Sequence, residues 1–500
     1  MTVYNINLGI GWASSGVEYA QAYRGKVLRT LKIPAKFIFT DFFSQDNICD
    51  LTRNIGFHDE EIIWLYSYFT DMKLAPSSVT VEEIRREYPT PVIREEADGT
   101  ILRLFFSEVD FITIYRKGET TDLVRCVEIV ARGNLIRKDF YTYQKTFSEY
   151  YIPKDNRATL YQRSFYNEDG SIAYEEFIGE NPIYRFSDRI CYSKEELMAY
   201  FLQSLGLTEK DIVILDRATG IGQAVFQYHA PAKLGVVVHA EHYSANAVTD
   251  STILWNNFYD YQFTYSDEVD FFLVATERQK ETMLEQFETF EQRTPVIRTI
   301  PVGSLACLKH PTKERSPFSL VTASRLASEK HIDWLVKAVI QAHEQVPGLT
   351  FDIYGAGGEE QKLRDLISQG QAESYIQLKG HKELNDIYQE YEVYVTASTS
   401  EGFGLTLLEA IGSGLPIIGF DVPYGNQTFV KEGENGYLIP RTDTPEEEKI
   451  VASIVGKICK IFQESNLSSF HEVSYKIAEN YLDQQVEKTW RELVEEMTHD

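Results

Sequence analysis

Basic residues, clustered cysteines and long apolar runs are all scarce in this sequence. Its 49 lysines and arginines stand against 75 aspartates and glutamates, which gives a net charge of -26. This excess of acid disfavours nucleic acids and anionic membrane surfaces as partners, because both require a basic face on the protein. The five cysteines are far apart and show neither Cys-x-x-Cys nor metal-ligand spacing. They are predicted to be reduced and structural.

The sequence also lacks the segments that would place it in a membrane or outside the cell. No window of about 18 uninterrupted apolar residues occurs, so no membrane-spanning helix is predicted. The N-terminus, Met1 to Leu8, has neither the basic region nor the apolar core of a signal peptide. We expect a cytoplasmic protein, with peripheral contact at the cytoplasmic membrane face left open. The sequence has no Asp-x-Asp pair at a predicted strand end, which would be the sign of a Mn²⁺ site.

The hydrophobic pattern predicts an α/β protein with an inserted β region. Apolar runs of strand length alternate with helical patterns near the N-terminus and again after residue 191, as in parallel sheets. Between them, aromatic and β-branched runs separated by turn signals such as Asp98-Gly99 predict an antiparallel meander. Its strands are predicted at 91–94, 101–106, 111–115, 123–130, 138–143, 159–166 and 171–177.

The same pattern suggests where the domains begin and end. The polar stretch Lys309–Pro317 is the clearest single boundary. We predict an N-terminal Rossmann-like domain in two parts (1–77 and 191–305), an inserted β-meander domain (78–190), a C-terminal Rossmann-like domain (306–481) and a C-terminal helix that crosses back to the first domain (482–500). The meander offers a sheet face or an open edge to a polypeptide or a partner protein, although its aromatics could simply form its own core.

The richest chemistry lies between the predicted strand Val393–Ala397 and the helix that begins at Leu405. Two glutamates, Glu401 in the loop and Glu409 in the helix, bracket a Gly-Phe-Gly turn. Glycines allow close approach of the backbone to a ligand, and the start of a helix favours an anion. Because carboxylates only accept hydrogen bonds, their partners should be rich in hydroxyls, such as a sugar and a ribose beside a phosphate.

Further candidates follow other predicted strands. Arg325 leaves a strand end and Lys330 is predicted to open the next helix, so both could converge on a diphosphate. His239 belongs to the predicted strand Leu234–Ala240 and is expected to be packed, whereas His242 should lie beyond it in the mouth of the sheet, where open α/β sheets bind ligands. Near the N-terminus, a Gly- and Ser-rich loop could present backbone N–H groups to a phosphate, although tight turns also need glycine.

The run from Glu401 to Glu409 resembles the E-x7-E signature of retaining GT-B glycosyltransferases, which have two Rossmann-like domains facing a cleft. The resemblance implies that Glu401 holds the donor sugar, that Glu409 holds the nucleotide ribose and that His242 lies against the sugar. It implies a catalytic set of His242, Arg325, Lys330 and Glu401. The donor-binding residues it implies are Gly11, Ser14, Ser15, Gly16, Gly303, Arg325, Lys330, Gly355, His381, Glu401, Gly402, Phe403, Gly404, Leu405 and Glu409.

Together with His239-Ala-Glu-His242 and the aromatic insertion, these motifs resemble the GtfA family over the whole chain. Members of that family are catalytic subunits of bacterial O-linked N-acetylglucosaminyltransferases that modify serine-rich-repeat adhesins before accessory-Sec export. The resemblance implies UDP-GlcNAc as donor, Ser/Thr hydroxyls of a polypeptide as acceptor, a noncatalytic GtfB-type partner subunit and no metal cofactor. Two alternatives stay open: a GT-B enzyme that acts on a lipid or teichoic-acid acceptor, and a noncatalytic binding subunit.

Overall fold

The computed structural model describes residues 1–12, 16–441 and 446–498. The chain divides into two compact units. Unit 1 comprises Met1–Val237, Asn257–Asp270 and the chain from Glu495, and unit 2 comprises Val238–Asn256 and Phe271–Val494. Along the described residues, no helix combines the length and the apolar character needed to cross a membrane.

Strands and helices alternate at both ends of the chain, with a long run of strands between them. The strands are β1 (Val3–Asn7), β2 (Ala35–Phe39), β3 (Ile62–Trp64), β4 (Arg94–Asp98), β5 (Ile101–Phe105), β6 (Phe111–Arg116), β7 (Val124–Ala131), β8 (Asn134–Tyr141), β9 (Lys145–Lys154), β10 (Arg157–Tyr166), β11 (Ile172–Phe177), β12 (Ile183–Arg185), β13 (Ile190–Cys191), β14 (Ile212–Leu215), β15 (Lys233–Val238), β16 (Phe271–Val274), β17 (Ile297–Thr299), β18 (Ser319–Ala323), β19 (Thr350–Tyr354), β20 (Ile376–Gly380), β21 (Val393–Val395), β22 (Ile417–Phe420) and β23 (Gly436–Ile439). The α-helices are α1 (Gly16–Thr30), α2 (Ile48–Asn54), α3 (Leu65–Tyr68), α4 (Val81–Glu87), α5 (Lys194–Ser204), α6 (Gly222–Tyr228), α7 (Asp260–Thr264), α8 (Glu277–Gln286), α9 (Ile332–His343), α10 (Glu360–Gln369), α11 (Leu405–Gly412), α12 (Gly425–Phe429), α13 (Glu447–Gln463), α14 (Leu467–Ala478) and α15 (Asp483–Thr498).

Unit 1 contains a parallel sheet in the order β15-β14-β1-β2-β3. Its strands are short apolar runs, and every residue of β14 is buried, as expected for a sheet covered on both faces. A buried ion pair joins α1 to the end of β14: the guanidinium of Arg24 lies 2.9 Å from both carboxylate oxygens of Asp216. Arg24 also donates to Asn5 in β1.

The inserted region is an antiparallel sheet of neighbouring strands from β4 to β13 in chain order. Its aromatic residues are mostly core. Phe140, Phe147, Phe165 and Tyr174 are buried and packed ring on ring, with centroid distances of 4.3 Å, 5.7 Å and 4.4 Å along the series. The predicted first strand at 91–94 is wrong, since β4 begins only at Arg94.

Unit 2 contains the parallel pair β16–β17 and a parallel sheet in the order β20-β19-β18-β21-β22-β23. In the larger sheet the chain first builds outward from β18 to β20, and then returns to the other side of β18 with β21. The order in which strands are added to the sheet therefore reverses at the neighbouring strands β18 and β21. Parallel sheets form a crevice at the carboxyl ends of two such strands, and ligands commonly bind there.

Candidate functional site

The crevice between β18 and β21 is closed at its base by a tyrosine. The hydroxyl of Tyr394, in β21, donates to the carbonyl of Ala323 at the end of β18 over 3.0 Å. It also lies 3.1 Å from the hydroxyl of Thr406 in the first turn of α11. Burial raises the pKa of Tyr394, so the phenol keeps the proton that these bonds require. These two contacts of Tyr394 hold the ends of β18 and β21 next to the first turn of α11.

The Glu401 loop is fixed to the loop that follows β22. The carbonyl of Glu401 accepts N–H bonds from Tyr424 and Gly425, each over 2.8 Å. The turn into α11 then uses Gly404, whose φ of +87° is a left-handed conformation that side chains other than glycine rarely adopt. A Cβ at Gly404 would lie 2.7 Å from the side chain of Leu407. The predicted helix start at Leu405 is observed.

Within this crevice, the predicted cation and the predicted sugar-binding carboxylate contact each other. Nζ of Lys330 lies 2.9 Å from Oε2 of Glu401, and their side chains are 19% and 24% exposed. The pair combines a donor and an acceptor group at a half-buried position. It is the arrangement that recognition of a phosphate next to a sugar would need.

Arg325 does not join this pair. Its side chain is 79% exposed, and Nη2 lies 3.2 Å from Glu329. The structure therefore does not bring the two cations together, and their convergence on a diphosphate stays a prediction. Lys330 also does not open a helix: it ends a 3-10 turn, Ser328–Lys330, and α9 begins at Ile332 after a left-handed residue.

Glu409 lies on α11 with its carboxylate largely withdrawn from solvent. Oε2 accepts a hydrogen bond from the hydroxyl of Tyr388 over 3.2 Å. Burial raises the pKa of Glu409 above its ordinary value, and the bond from Tyr388 opposes that rise. The second glutamate of the signature thus lies in a less solvated environment than Glu401.

His242 is completely buried, contrary to the expectation that it lies in the open mouth of the sheet. β15 ends at Val238, so His239 lies beyond the strand and is half-buried. The Nε2 atom of His242 lies 2.8 Å from Oε1 of Gln286, and its Nδ1 lies 3.0 Å from the hydroxyl of Tyr424. Burial lowers the pKa of His242 to about 4, so the ring is neutral near pH 7. With Oε1 as acceptor, Nε2 carries the proton and Nδ1 accepts from Tyr424.

Several other predicted residues pack around the same loop. A Cβ at Gly303 would lie 2.4 Å from Cδ2 of Leu405, and one at Gly402 would lie 3.2 Å from the carbonyl of His239. Phe403 is buried, and its ring packs against Phe429 in the core, so only its backbone can meet a ligand in this conformation.

Gly355 and His381 follow β19 and β20. Gly355 has φ +137°, and a Cβ there would lie 1.8 Å from the carbonyl of Ser324, so glycine is required next to the Arg325 turn. His381 is exposed beyond β20, at the edge of the sheet. The strand β19 separates β20 from β18, and the structure does not bring His381 to Glu401.

The predicted N-terminal loop belongs to unit 1. Gly11 lines a cavity of about 300 Å³ together with Phe42, Phe43 and Arg163. Gly16 is exposed and begins α1. The predicted residues Ser14 and Ser15 lie outside the described residues.

Sequence reasoning missed Tyr424, Gln286 and Tyr388, which hold the predicted site residues. Tyr424 follows the apolar strand β22, and this position after a strand end could have marked it as a candidate site residue. Gln286 sits in a helix of ordinary pattern and gives no such signal. Across residues 1–12, 16–441 and 446–498, no group of three or more His, Cys, Asp or Glu side chains could hold a metal ion.

Two family models match this chain. Residues 94–188 match the GtfA extended beta-sheet domain, and residues 317–455 match the glycosyl transferases group 1. The first match falls on the antiparallel sheet. The second spans the crevice with Lys330, Glu401 and Glu409.

Characterised relatives match over the full length. The chain is 57% identical to the UDP-N-acetylglucosamine--peptide N-acetylglucosaminyltransferase GtfA subunit of Streptococcus pneumoniae serotype 4, with 100% of both chains covered. It is 56% identical, with a TM-score of 0.89, to the crystal structure of the pneumococcal O-GlcNAc transferase GtfA in complex with UDP and GlcNAc, which covers 100% of this chain and 99% of that one. It is 57% identical, with a TM-score of 0.98 and 100% of both chains covered, to a chain in the crystal structure of a GtfA/B complex.

The predicted GT-B fold and the predicted family are therefore both confirmed. The α/β architecture with its antiparallel insertion is shared with solved members at more than half identity. The match extends from one end of the chain to the other. This chain belongs to the GtfA family of UDP-N-acetylglucosamine--peptide N-acetylglucosaminyltransferase subunits.

Proposed function

We propose that this chain is the catalytic subunit of a glycosyltransferase that moves GlcNAc from UDP-GlcNAc to Ser and Thr hydroxyls of a serine-rich-repeat adhesin. The observation that carries the proposal is the Lys330–Glu401 pair, 2.9 Å apart, in the crevice between β18 and β21. Family membership supports the same donor, since a relative's structure contains UDP and GlcNAc. A noncatalytic subunit would not need to retain Arg325, Lys330, Glu401 and Glu409, which are all present.

The donor would lie with its diphosphate toward the cations and its hydroxyls toward the carboxylates. Lys330 and Arg325 would stabilise the charge that develops on UDP as it leaves, and the exposed Arg325 side chain would turn toward the phosphates. Glu401 would accept hydrogen bonds from sugar hydroxyls and Glu409 from the ribose. Gly402, Gly404 and the start of α11 would supply backbone N–H groups.

The transfer exchanges one bond at the anomeric carbon for another. The bond between that carbon and the UDP oxygen breaks, and a bond to the Ser or Thr oxygen forms on the same face of the sugar, which retains configuration. The hydroxyl proton passes to a phosphate oxygen of the departing UDP. Buried and neutral, His242 would shape the sugar site through its Tyr424 and Gln286 contacts rather than exchange a proton.

Three further features belong to this proposal: the partner subunit, the independence from metal and the cellular compartment. The chain would act with a GtfB-type subunit, as the GtfA/B complex of a close relative suggests, and the antiparallel sheet β4–β13 would take part in binding the partner or the acceptor. No metal would be required, because Arg325 and Lys330 supply the cations. The enzyme would act in the cytoplasm, where its five free thiols remain reduced.

Release of UDP tests the donor part of the proposal. The complex is incubated with a Ser/Thr-rich peptide and either UDP-GlcNAc or UDP-glucose, with and without EDTA. We expect peptide-dependent UDP release from UDP-GlcNAc that EDTA does not reduce. Preference for UDP-glucose would refute the donor assignment, and loss of activity in EDTA that Mn²⁺ restores would refute metal independence.

A further inference from the structure

A short turn before β21 holds the second glutamate of the signature, Glu409. Tyr388 begins this 3-10 turn, Tyr388–Glu390, and is 1% exposed. Its hydroxyl donates to Oε2 of Glu409 over 3.2 Å. Burial raises the pKa of Tyr388 well above that of a free tyrosine, so the phenol keeps the proton that this bond requires. The carboxylate of Glu409 is therefore held by a donor from outside its own helix.

Two tyrosines reach one face of α11. Thr406 and Glu409 are three residues apart in this helix, so they lie on the same face. Tyr388 contacts Glu409, and the hydroxyl of Tyr394 lies 3.1 Å from the hydroxyl of the threonine. The two tyrosine rings also pack against each other, with centroids 6.0 Å apart. These contacts fix the rotation of α11 about its axis and, with it, the side of the helix on which Glu409 lies.

Arg315 joins the turn to the end of the same helix. Its Nη1 donates to the carbonyls of Gln389 and Tyr391 over 3.1 Å and 2.7 Å. Its Nη2 donates to the carbonyl of Ser413, the residue after α11, over 2.7 Å. Because one guanidinium binds both elements, the turn that carries Tyr388 cannot move away from α11 without breaking charge-assisted hydrogen bonds.

Packing alone does not require the hydroxyl of Tyr388. The residue belongs to an apolar cluster with Leu407, Leu408 and Ile411, where a phenylalanine would fill the same space without a polar group to bury. Burial also raises the pKa of Glu409, and the bond from Tyr388 opposes that rise. A hydroxyl that orients a carboxylate is useful where the carboxylate must meet a ligand in one direction, as in the recognition of ribose hydroxyls.

We propose that Tyr388 is a positioning residue for nucleotide recognition, which holds the carboxylate of Glu409 in the orientation that accepts hydrogen bonds from the ribose of the sugar nucleotide. This inference rests on the proposed function, in which Glu409 binds the ribose. Tyr388 does not touch the nucleotide in this arrangement. It acts through Oε2 of Glu409 and leaves Oε1 to the ribose hydroxyls. Removal of the phenol oxygen should therefore weaken the ligands that carry the hydroxyl bound by Glu409 and spare those that lack it.

The test measures ribose recognition separately from transfer. The chain in complex with its partner subunit is titrated with UDP, 2′-deoxy-UDP and 3′-deoxy-UDP, and calorimetry gives the Kd of each. In wild type we expect UDP to bind about 10-fold or more tightly than the analogue that lacks the hydroxyl bound by Glu409, because a hydrogen bond to a charged group is lost. In Tyr388→Phe that ratio should fall below about three, while the Kd of the analogue stays within about two-fold of wild type.

Tyr391→Phe is the matched control. Tyr391 follows the same turn, is buried and also donates to a carboxylate, but this carboxylate is that of Asp352 in β19, over 2.6 Å. The control should keep the wild-type ratio. A double-mutant cycle adds Glu409→Ala, which should itself abolish the selectivity. Tyr388→Phe in that background should then change none of the three Kd values further.

Equal weakening of UDP and both analogues in Tyr388→Phe would overturn the proposal, because the hydroxyl would then serve stability alone. So would an unchanged ratio, or an equal loss of selectivity in Tyr391→Phe. A wild-type chain that binds all three ligands equally would remove Glu409 from the ribose, and the role of Tyr388 with it. If the ratio falls as expected but wild type transfers no HexNAc to a peptide, the role of Tyr388 stands and the proposed function fails.

Discussion

At the scale of single residues, the pairing of Lys330 with Glu401 makes both side chains directly testable. We expect Lys330→Met and Glu401→Gln each to lower kcat/KM for UDP-GlcNAc by about 100-fold or more, because each removes a charged contact at the departing UDP or the sugar. Stability should change little, since both side chains remain partly exposed. Transfer kinetics and thermal unfolding check both statements.

The matched control is Lys362→Met. Lys362 also pairs with a carboxylate in unit 2, at 3.0 Å from Asp333, but it does not lie in the crevice. This variant should keep wild-type kinetics. Activity above half of wild type in either crevice variant would remove Lys330 or Glu401 from the site.

His242 predicts a specific dependence of stability on pH. Above pH 6.5 the ring is neutral in both states, so it adds no pH dependence. Between pH 6.5 and about 4 the unfolded chain binds a proton that folded His242 does not, and stability falls as pH falls. The full difference corresponds to about 3 kcal/mol. Urea unfolding at a series of pH values should therefore show a shallower decline in His242→Gln than in wild type.

The buried His471 also has a pKa lowered by burial, to about 4, and it remains in both proteins. The difference between the two pH profiles therefore isolates His242. Parallel profiles would mean that His242 has the same pKa in the folded and the unfolded chain. That result would contradict the lowering of its pKa by burial.

At the scale of elements, the turn into α11 depends on Gly404. Gly404→Ala should lower the free energy of unfolding by about 1–3 kcal/mol, because it forces a left-handed alanine and a 2.7 Å contact with Leu407. It should also weaken donor binding, since the Glu401 loop would shift. Denaturant titration and the Kd for UDP measure the two effects.

Gly358→Ala is the matched control for that turn. Nothing lies within 4 Å of a Cβ at Gly358, and its φ is not left-handed. We expect its unfolding free energy within about 0.5 kcal/mol of wild type. Equal effects of the two substitutions would argue against a special role of the Gly404 turn.

The antiparallel sheet allows a second comparison of this kind. Phe165 of β10 is 2% exposed inside the stacked aromatic core, whereas Tyr161 of the same strand is 39% exposed. Phe165→Ala should cost about 3–5 kcal/mol of unfolding free energy, and Tyr161→Ala less than about 1 kcal/mol. Chemical denaturation distinguishes them. Similar small costs would mean that the aromatics are not the core of the sheet.

The elements most visible in the sequence are continuous apolar strands. The runs predicted at Leu234–Ala240 and Val393–Ala397 overlap β15 and β21, because strands buried on both faces have no competing pattern. β12 and β13 escaped prediction because three and two residues are too short to show a period. β9 was missed as well, and the proline near its end, Pro153, weakens its strand signal.

The site was only partly predictable, because some of its contacts join residues that are far apart in the sequence. The Glu401–Glu409 signature is local, so the sequence displays it. The contact between His242 and Tyr424 joins residues 182 positions apart, and the Gln286 contact spans 44 positions. Local periodicity carries no information about such pairs. It also could not show that Arg325 points to Glu329 rather than toward Lys330.

At the scale of the whole molecule, charge and architecture constrain the acceptor together. A net charge of -26 opposes tight binding of a polyanion, whereas a Ser/Thr-rich polypeptide carries little charge of its own. The fold supplies a crevice between β18 and β21 in unit 2, where we propose that the sugar nucleotide binds, and an aromatic-cored sheet in unit 1. The domain boundaries predicted at residues 77, 190, 305 and 481 stay predictions.

The most direct test of the central claim is the intact mass of a Ser/Thr-rich peptide after incubation with the chain, a GtfB-type subunit and UDP-GlcNAc. We predict a series of peptide masses that increase by one HexNAc per modified hydroxyl, and no increase when Glu401→Gln replaces the wild-type chain. An unmodified peptide alongside released UDP, or a mass increase that persists in Glu401→Gln, would contradict the account.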